Sequence, residues 1–336
     1  MTNAFSRCTR IAFTGIALLF LCYATHCGGG GGGSSGGGGN GGGGNGGGGT
    51  PTTPDTPQST RFRITNSCQY TIWIQQQNMP AGTPSVVQLN SGTSFDFNIP
   101  DAGLASTRFW PKTGCDGSGQ NCAIGQSSNP CPAVGCAPPV DSKIEATWGC
   151  TLSDTSQCAI TPQGNVIPPT TDYNASAVDG FTLPFKVNVQ TGGGSNCANL
   201  DCSGLNLNQC PTNENLSQGQ GGSFPQFASE SLQVVTPNSG QTAGCFSPCI
   251  KFNYPTYGGL NLPNIQSDPE IMYCCPTPPI SSGQCRAGPA ASTQYVGLIH
   301  SACTGGVYGY AYDDGVGLHQ CSAPTQIEMV FGPNCP

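Results

Sequence analysis

Charge is scarce in this 336-residue chain. Asp, Glu, Lys and Arg together make up 8% of it, with ten Lys plus Arg and three His. Cations so few and so dispersed, under a net charge of -7, exclude a phosphate-binding surface and with it nucleic acid as a partner. Apolar residues at helical spacing are nearly absent, which excludes a helix-rich fold. The longest apolar run, Ile11 to Tyr23, is too short to span a membrane comfortably. No Cys-x-x-Cys occurs, and His26, His300 and His319 are scattered, so a closed tetrahedral zinc site has no ligand set. A phosphate-cradling Gly-Lys-Ser/Thr loop is missing, as is a Gly-x-Ser-x-Gly elbow set between strand and helix. No metal or cofactor is implied.

What is abundant is Gly (50), Pro (29) and Cys (21). All the cysteines except Cys8, Cys22 and Cys27 lie between Cys68 and Cys335, an even set that reads as a disulfide framework in an oxidising compartment. Arg7 and Arg10 precede the apolar run, the order of a secretory signal, with Ala24 as a cleavage point. Two endings stay open: residues 1–24 removed as a signal peptide, or 1–26 removed with Cys27 acylated as a lipoprotein anchor. Residues 25–60 are Gly-, Pro- and Thr-rich and have almost nothing to bury, so they read as a disordered linker or tether.

From Arg61 onward the pattern changes to alternation. Phe62 and Ile64, then Tyr70, Ile72 and Ile74, then Phe95, Phe97 and Ile99 alternate with polar residues, as half-buried strands do. Further strands are expected at 106–111, 143–148, 183–189, 307–312 and 326–331, and one short helix around 226–235. The Pro- and Cys-rich stretch from Cys197 to Cys285 reads as disulfide-held loops packed on a sandwich. Trp73 and Trp110 fall in the alternating stretches and read as core. Asn174-Ala-Ser and Asn215-Leu-Ser are N-glycosylation sequons in a eukaryotic host.

Five blocks carry a resemblance. Arg61-Phe-Arg-Ile-Thr-Asn-Ser-Cys-Gln-Tyr-Thr-Ile-Trp73, Gln88-Leu-Asn-Ser-Gly92, Trp110-Pro-Lys-Thr-Gly-Cys115, Val178-Asp-Gly-Phe181 and Tyr310-Ala-Tyr-Asp-Asp314 occur in the order found in thaumatin-like (pathogenesis-related group 5) proteins. The chain resembles that family over 61–336. The resemblance implies an all-β fold, an antiparallel β-sandwich with a disulfide-rich loop subdomain. It also implies the bridges Cys68–Cys335, Cys115–Cys122, Cys131–Cys136, Cys197–Cys321, Cys202–Cys303, Cys210–Cys245, Cys249–Cys274 and Cys275–Cys285. Cys150 and Cys158 remain, close enough in sequence to close a ninth loop.

The family is associated with an acidic cleft that binds β-1,3-glucan and in some members hydrolyses it. Carried over, the resemblance places Glu145, Asp179 and Asp313 in that cleft as ligand-binding residues, and as the catalytic set if the protein is an enzyme. Two positions depart, Ala137 where an arginine is expected and Asn174 where an aspartate is, with Lys143 or Asp172 near enough to compensate. Trp148, close to Glu145, is a candidate sugar platform. Hydrolysis needs one carboxyl kept protonated and a second carboxylate at a set distance. With one carboxylate replaced, binding is the expectation and turnover the alternative. A third reading is a protein-interaction or enzyme-inhibitor module acting through the loop 212–243. The expected whole is a secreted monomer, tethered to a membrane if Cys27 is acylated, with cell-wall or other polysaccharide as partner.

Overall fold

The computed structural model describes residues 58–126, 140–236, 240–254, 256–262 and 264–336. The signal segment, the expected linker up to residue 57, Cys27, Ala137 and the expected Cys131–Cys136 bridge lie outside the described residues, whereas Ser59, the linker's next-to-last residue, donates to Asp96 through its N–H (3.0 Å) and hydroxyl (2.6 Å).

In chain order the strands are β1 (Phe62–Asn66), β2 (Ile72–Gln77), β3 (Val86–Leu89), β4 (Ser94–Phe97), β5 (Leu104–Lys112), β6 (Lys143–Trp148), β7 (Thr170–Ser176), β8 (Gly180–Phe181), β9 (Phe185–Thr191), β10 (Leu200–Asp201), β11 (Gln233–Val235), β12 (Thr242–Phe246), β13 (His319–Ser322) and β14 (Gln326–Phe331). They form a five-stranded sheet, β10-β9-β14-β1-β4, a six-stranded sheet, β13-β7-β6-β5-β2-β3, and a small β11-β12-β8 sheet. The odd-even pattern of the sequence sets which side chains meet. Phe62 and Phe97 project from the first sheet, Phe109 and Trp148 from the second, with ring centroids 4.6 Å apart for Phe62–Phe109, 4.7 Å for Phe97–Phe109 and 5.2 Å for Phe62–Trp148. All four are essentially inaccessible to solvent, and each such burial contributes roughly 1.5–3 kcal/mol.

Helices gather between the strands of the second half: α1 (Pro248–Asn253), α2 (Glu270–Cys274), α3 (Ser282–Ala287), α4 (Gln294–Ala302) and α5 (Asp314–Gly317). Local chemistry starts the longest. Thr293 caps α4 by accepting from the Val296 N–H, and the Glu214 carboxylate accepts from the N–H groups of Gln294 (3.1 Å) and Tyr295 (2.8 Å), a negative charge at the positive end of the helix. Tyr295, Val296 and Ile299 bury one face of it.

Covalent bonds hold the remainder. The structure pairs Cys68–Cys335, Cys115–Cys122, Cys150–Cys158, Cys197–Cys321, Cys202–Cys303, Cys210–Cys245, Cys249–Cys274 and Cys275–Cys285.

Two expected elements differ. Residues 307–312 form no strand: Tyr308 makes one parallel bridge to Ser176, and left-handed backbone at Gly305, Gly306 and Tyr312 interrupts extension. Residues 226–235 form no helix beyond the 3-10 turn Pro225–Phe227. Glu230 bridges Glu214 instead, and the β-branched Val234 and Val235 pair with β12. No helix among the described residues is long and apolar enough to cross a membrane.

Candidate functional site

On the polar face of the six-stranded sheet, strand register sets four side chains in one row: Gln77 on β2, Arg108 on β5, Glu145 on β6 and Asn174 on β7. Their neighbours in the chain, Ile144, Phe109 and Ala175, point into the core, so alternation sends this row outward. Arg108 Nε donates to Glu145 Oε1 at 2.6 Å. Together with Asn78, Ser106, Thr107 and Ala146 the row lines a shallow surface depression. Asn174 is buried, and its Oδ1 has no hydrogen-bond partner among the described residues. An amide oxygen left so costs about 1–3 kcal/mol.

Asp179 follows β7 in a turn closed by the Gly180 N–H to the Ala177 carbonyl, 3.1 Å. Gly180 has φ +121°, and a Cβ there would collide with the Cys245 carbonyl, so only glycine allows this tight approach. The Ala177 carbonyl also accepts from the buried Tyr295 hydroxyl at 2.6 Å, which ties the turn to α4. The Lys143 ammonium, two residues from Glu145 on the same face of β6, is in direct contact with Asp179 Oδ2. Burial acts against that ammonium, but Asp179, Asp141 and Glu145 outweigh it and raise its pKa.

Asp313, just ahead of α5, is buried and accepts from the Gly309 N–H (2.9 Å), with His300 Nε2 of α4 at 2.7 Å from the same carboxylate oxygen. Burial pushes its pKa up, against these two partners. The Tyr308 hydroxyl donates to Asp314 Oδ1 at 2.6 Å. Burial, then Asp314, Glu145 and Asp313 raise the Tyr308 phenol, so these carboxylates share one electrostatic neighbourhood. Arg286 lies 3.7 Å from Asp314.

Each carboxylate singled out in the sequence therefore has its own basic partner: Arg108 for Glu145, Lys143 for Asp179, His300 for Asp313. These carboxylates are thus largely paired in charge. Lys143 supplies a cation to Asp179, whereas the Asp172 carboxylate accepts from Gln320 at 2.7 Å farther along β7. Trp148 is no sugar platform. Its ring is fully buried against Phe62, its N–H goes to Thr107 Oγ1 at 2.9 Å, and the Arg61 guanidinium covers it at 5.8 Å. Burial inside β7 also withdraws Asn174 from glycosylation, whereas Asn215 is exposed. Sequence reasoning missed Arg108, His300 and Tyr308. For Arg108 a signal existed: in Thr107-Arg108-Phe109 an inward Phe109 sends its neighbour to the polar face. For His300 and Tyr308 there was none, because the helix and turns that set them beside Asp313 and Asp314 leave no periodic pattern in the sequence. Among the described residues no group of acidic, His or Cys side chains is arranged to hold a metal ion.

Comparison with known proteins agrees with this architecture. The chain is 28% identical over 279 residues to a protein named glucan endo-1,3-beta-glucosidase from Prunus avium, covering 80% of this chain and 88% of that one. It is 28% identical over 276 residues to thaumatin-like protein 2 of Prunus persica, with the same coverage of each. Among solved structures it is similar to a family 64 laminaripentaose-producing beta-1,3-glucanase from Paenibacillus barengoltzii, with TM-score 0.45 and 10% identity, covering 82% of this chain and 76% of that one. The model of the thaumatin family matches residues 66–333, and with its all-β sandwich and its bridges the chain belongs to that family.

Proposed function

We propose that this protein binds an uncharged polysaccharide of the β-1,3-glucan type in the cleft formed by Gln77, Arg108, Glu145, Asn174, Asp179 and Asp313. The observation that carries the reading is the Gln77-Arg108-Glu145-Asn174 row, a line of fixed donors and acceptors with one buried amide oxygen unused. Sugar hydroxyls are donors and acceptors in equal measure, and such a row offers both. The name of the Prunus avium relative supports the choice of glucan.

Binding without turnover is the reading this geometry favours. A glycosidase acid must present a proton to the leaving oxygen, whereas Glu145 accepts from a guanidinium 2.6 Å away, and Asp179 is held by Lys143. The test is retention on insoluble β-1,3-glucan of the native protein and of a Glu145→Gln, Asp179→Asn double variant, with reducing-sugar release from laminarin measured alongside. Native retention should exceed that of the variant by about tenfold, as the loss of two charge-assisted contacts implies, with no sugar released by either. Equal retention sinks the cleft as the binding site, and sugar release by the native protein alone makes it a hydrolase. The described disulfides fit export to an oxidising compartment. Anchoring through Cys27 and a monomeric state belong to the same proposal; intact-mass and light-scattering measurements on native material decide them.

A further inference from the structure

Beneath the cleft lies a carboxyl group that none of these pairs uses. Asp141 is fully buried, and neither of its oxygens has a hydrogen-bond partner among the described residues. Its nearest charge is the Lys143 ammonium, 3.9 Å from Oδ1, too far for a hydrogen bond. That same ammonium touches Asp179 Oδ2. One buried cation thus stands between two carboxyl groups, bonded to the outer and within Coulomb reach of the inner. The other charges acting on Asp141 are Arg108 of β5 and Glu145 of β6. From α4, the Tyr295 phenol faces both Asp141 and Asp179, and its proton is committed to the Ala177 carbonyl.

A carboxylate without hydrogen bonds in such a place is strongly disfavoured, and holding a proton is the usual escape. Burial accordingly pushes the Asp141 carboxyl up to about 8, with Lys143 opposing, Asp179 reinforcing, Arg108 opposing and Glu145 reinforcing.

We propose that Asp141 is a proton-controlled positioning residue for the cleft: protonated, it leaves the Lys143 ammonium to Asp179; deprotonated, it draws the ammonium inward and releases the Asp179 carboxylate. The proton passes to solvent, no covalent bond between heavy atoms changes, and one ion pair is exchanged for another. While Lys143 holds it, Asp179 offers its free lone pairs in a fixed direction, and a ligand need not order it; once released, that ordering cost falls on binding. Acidic to neutral pH is therefore the binding condition, and affinity declines through the titration of Asp141. The effect on affinity rests on the polysaccharide reading, whereas the exchange of partners does not.

Two measurements keep these apart. Carboxyl-carbon NMR on the native protein should show the Asp141 resonance moving in a step near pH 8, with the Asp179 resonance shifting in the same step. Asp141→Asn, which keeps the shape and removes the titration, should abolish the step at Asp179. Lys143→Met should leave Asp141 titrating and Asp179 unmoved by it. Retention on insoluble β-1,3-glucan should fall about fivefold across the step in the native protein and change by less than about twofold in Asp141→Asn. An Asp141 resonance titrating near pH 4 with ordinary carboxylates, or one near pH 8 that leaves Asp179 unmoved, overturns the proposal. A coupled step in a protein that retains no glucan at any pH upholds the exchange and sinks the polysaccharide reading.

Discussion

The two large sheets and the disulfide-rich segment from Cys197 to Cys303 reach order by different physics. Between the sheets, aromatic side chains from opposite strands fill a continuous interior, and the described bridges there either join the ends, Cys68–Cys335, or close short loops, Cys115–Cys122 and Cys150–Cys158. The Cys-rich segment has short helices, many turns and four internal bridges, Cys202–Cys303, Cys210–Cys245, Cys249–Cys274 and Cys275–Cys285, with Cys197–Cys321 tying it to β13 of the six-stranded sheet. One region is specified by the period of its side chains, the other by its cross-links. The proposed cleft draws on both, with Arg108 and Glu145 from the sheet and His300 from the Cys-rich segment.

The contrast can be attacked first at the aromatic layer. Phe62→Ala removes the ring that touches Phe97, Phe109 and Trp148, and urea unfolding should show a loss of about 3–5 kcal/mol, enough to unfold a marginal domain. A loss below 1 kcal/mol would mean that the bridges, and not the layer, carry the sandwich.

Next comes a cross-link. Replacing Cys249 and Cys274 together by Ala opens a loop with a sequence separation of 25, for a loss of about 3 kcal/mol in the chain-entropy account. Amide exchange should then rise across 248–287 and stay unchanged in β1 and β14. Equal acceleration in β1 would show the two regions to be one cooperative unit.

A smaller, pH-dependent effect sharpens the comparison. Glu270 opens α2, buried, with Oε1 lacking a hydrogen-bond partner among the described residues, and burial pushes its carboxyl up to about 7. The ordinary value, 4.5, applies to the unfolded chain. A raised acid pKa means that the folded state holds a proton the unfolded chain has lost. The stability tied to it is full below pH 4.5 and drains away as pH rises towards 7. Glu270→Gln should match the native protein in thermal unfolding at pH 4 and exceed it by about 1–2 kcal/mol at pH 8. A constant difference at both pH values would remove Glu270 as the source of the slope.

How far the sequence could be read follows the same division. Alternation located β1, β2, β4, β5, β6, β9 and β14 because a sheet buried on one face writes its period directly into the chain. It missed β7 and β13, whose residues are mostly polar or small: Thr170-Thr-Asp-Tyr-Asn-Ala-Ser176 and His319-Gln-Cys-Ser322. The short helices escaped because caps and bridges, rather than an apolar stripe, start and stop them. For the proposed cleft, Glu145, Asp179 and Asp313 rest on motif resemblance alone. Their partners depend on strand register and on a turn brought from afar, neither of which local spacing encodes. Trp148 was misjudged for a related reason: it lies three residues from Glu145, and in a strand that odd offset places it on the opposite face.

One feature of the five-stranded sheet governs when this domain can exist at all. β1 takes β14 as its parallel neighbour, and β14 is also the only link between β1 and β9 in that sheet. A polypeptide interrupted before Gln326 would leave two unzipped strand margins and a lone thiol at Cys68. The first strand of the domain thus closes its sheet only against a strand that the chain supplies far later, so this sheet is complete only once Gln326–Phe331 is in place.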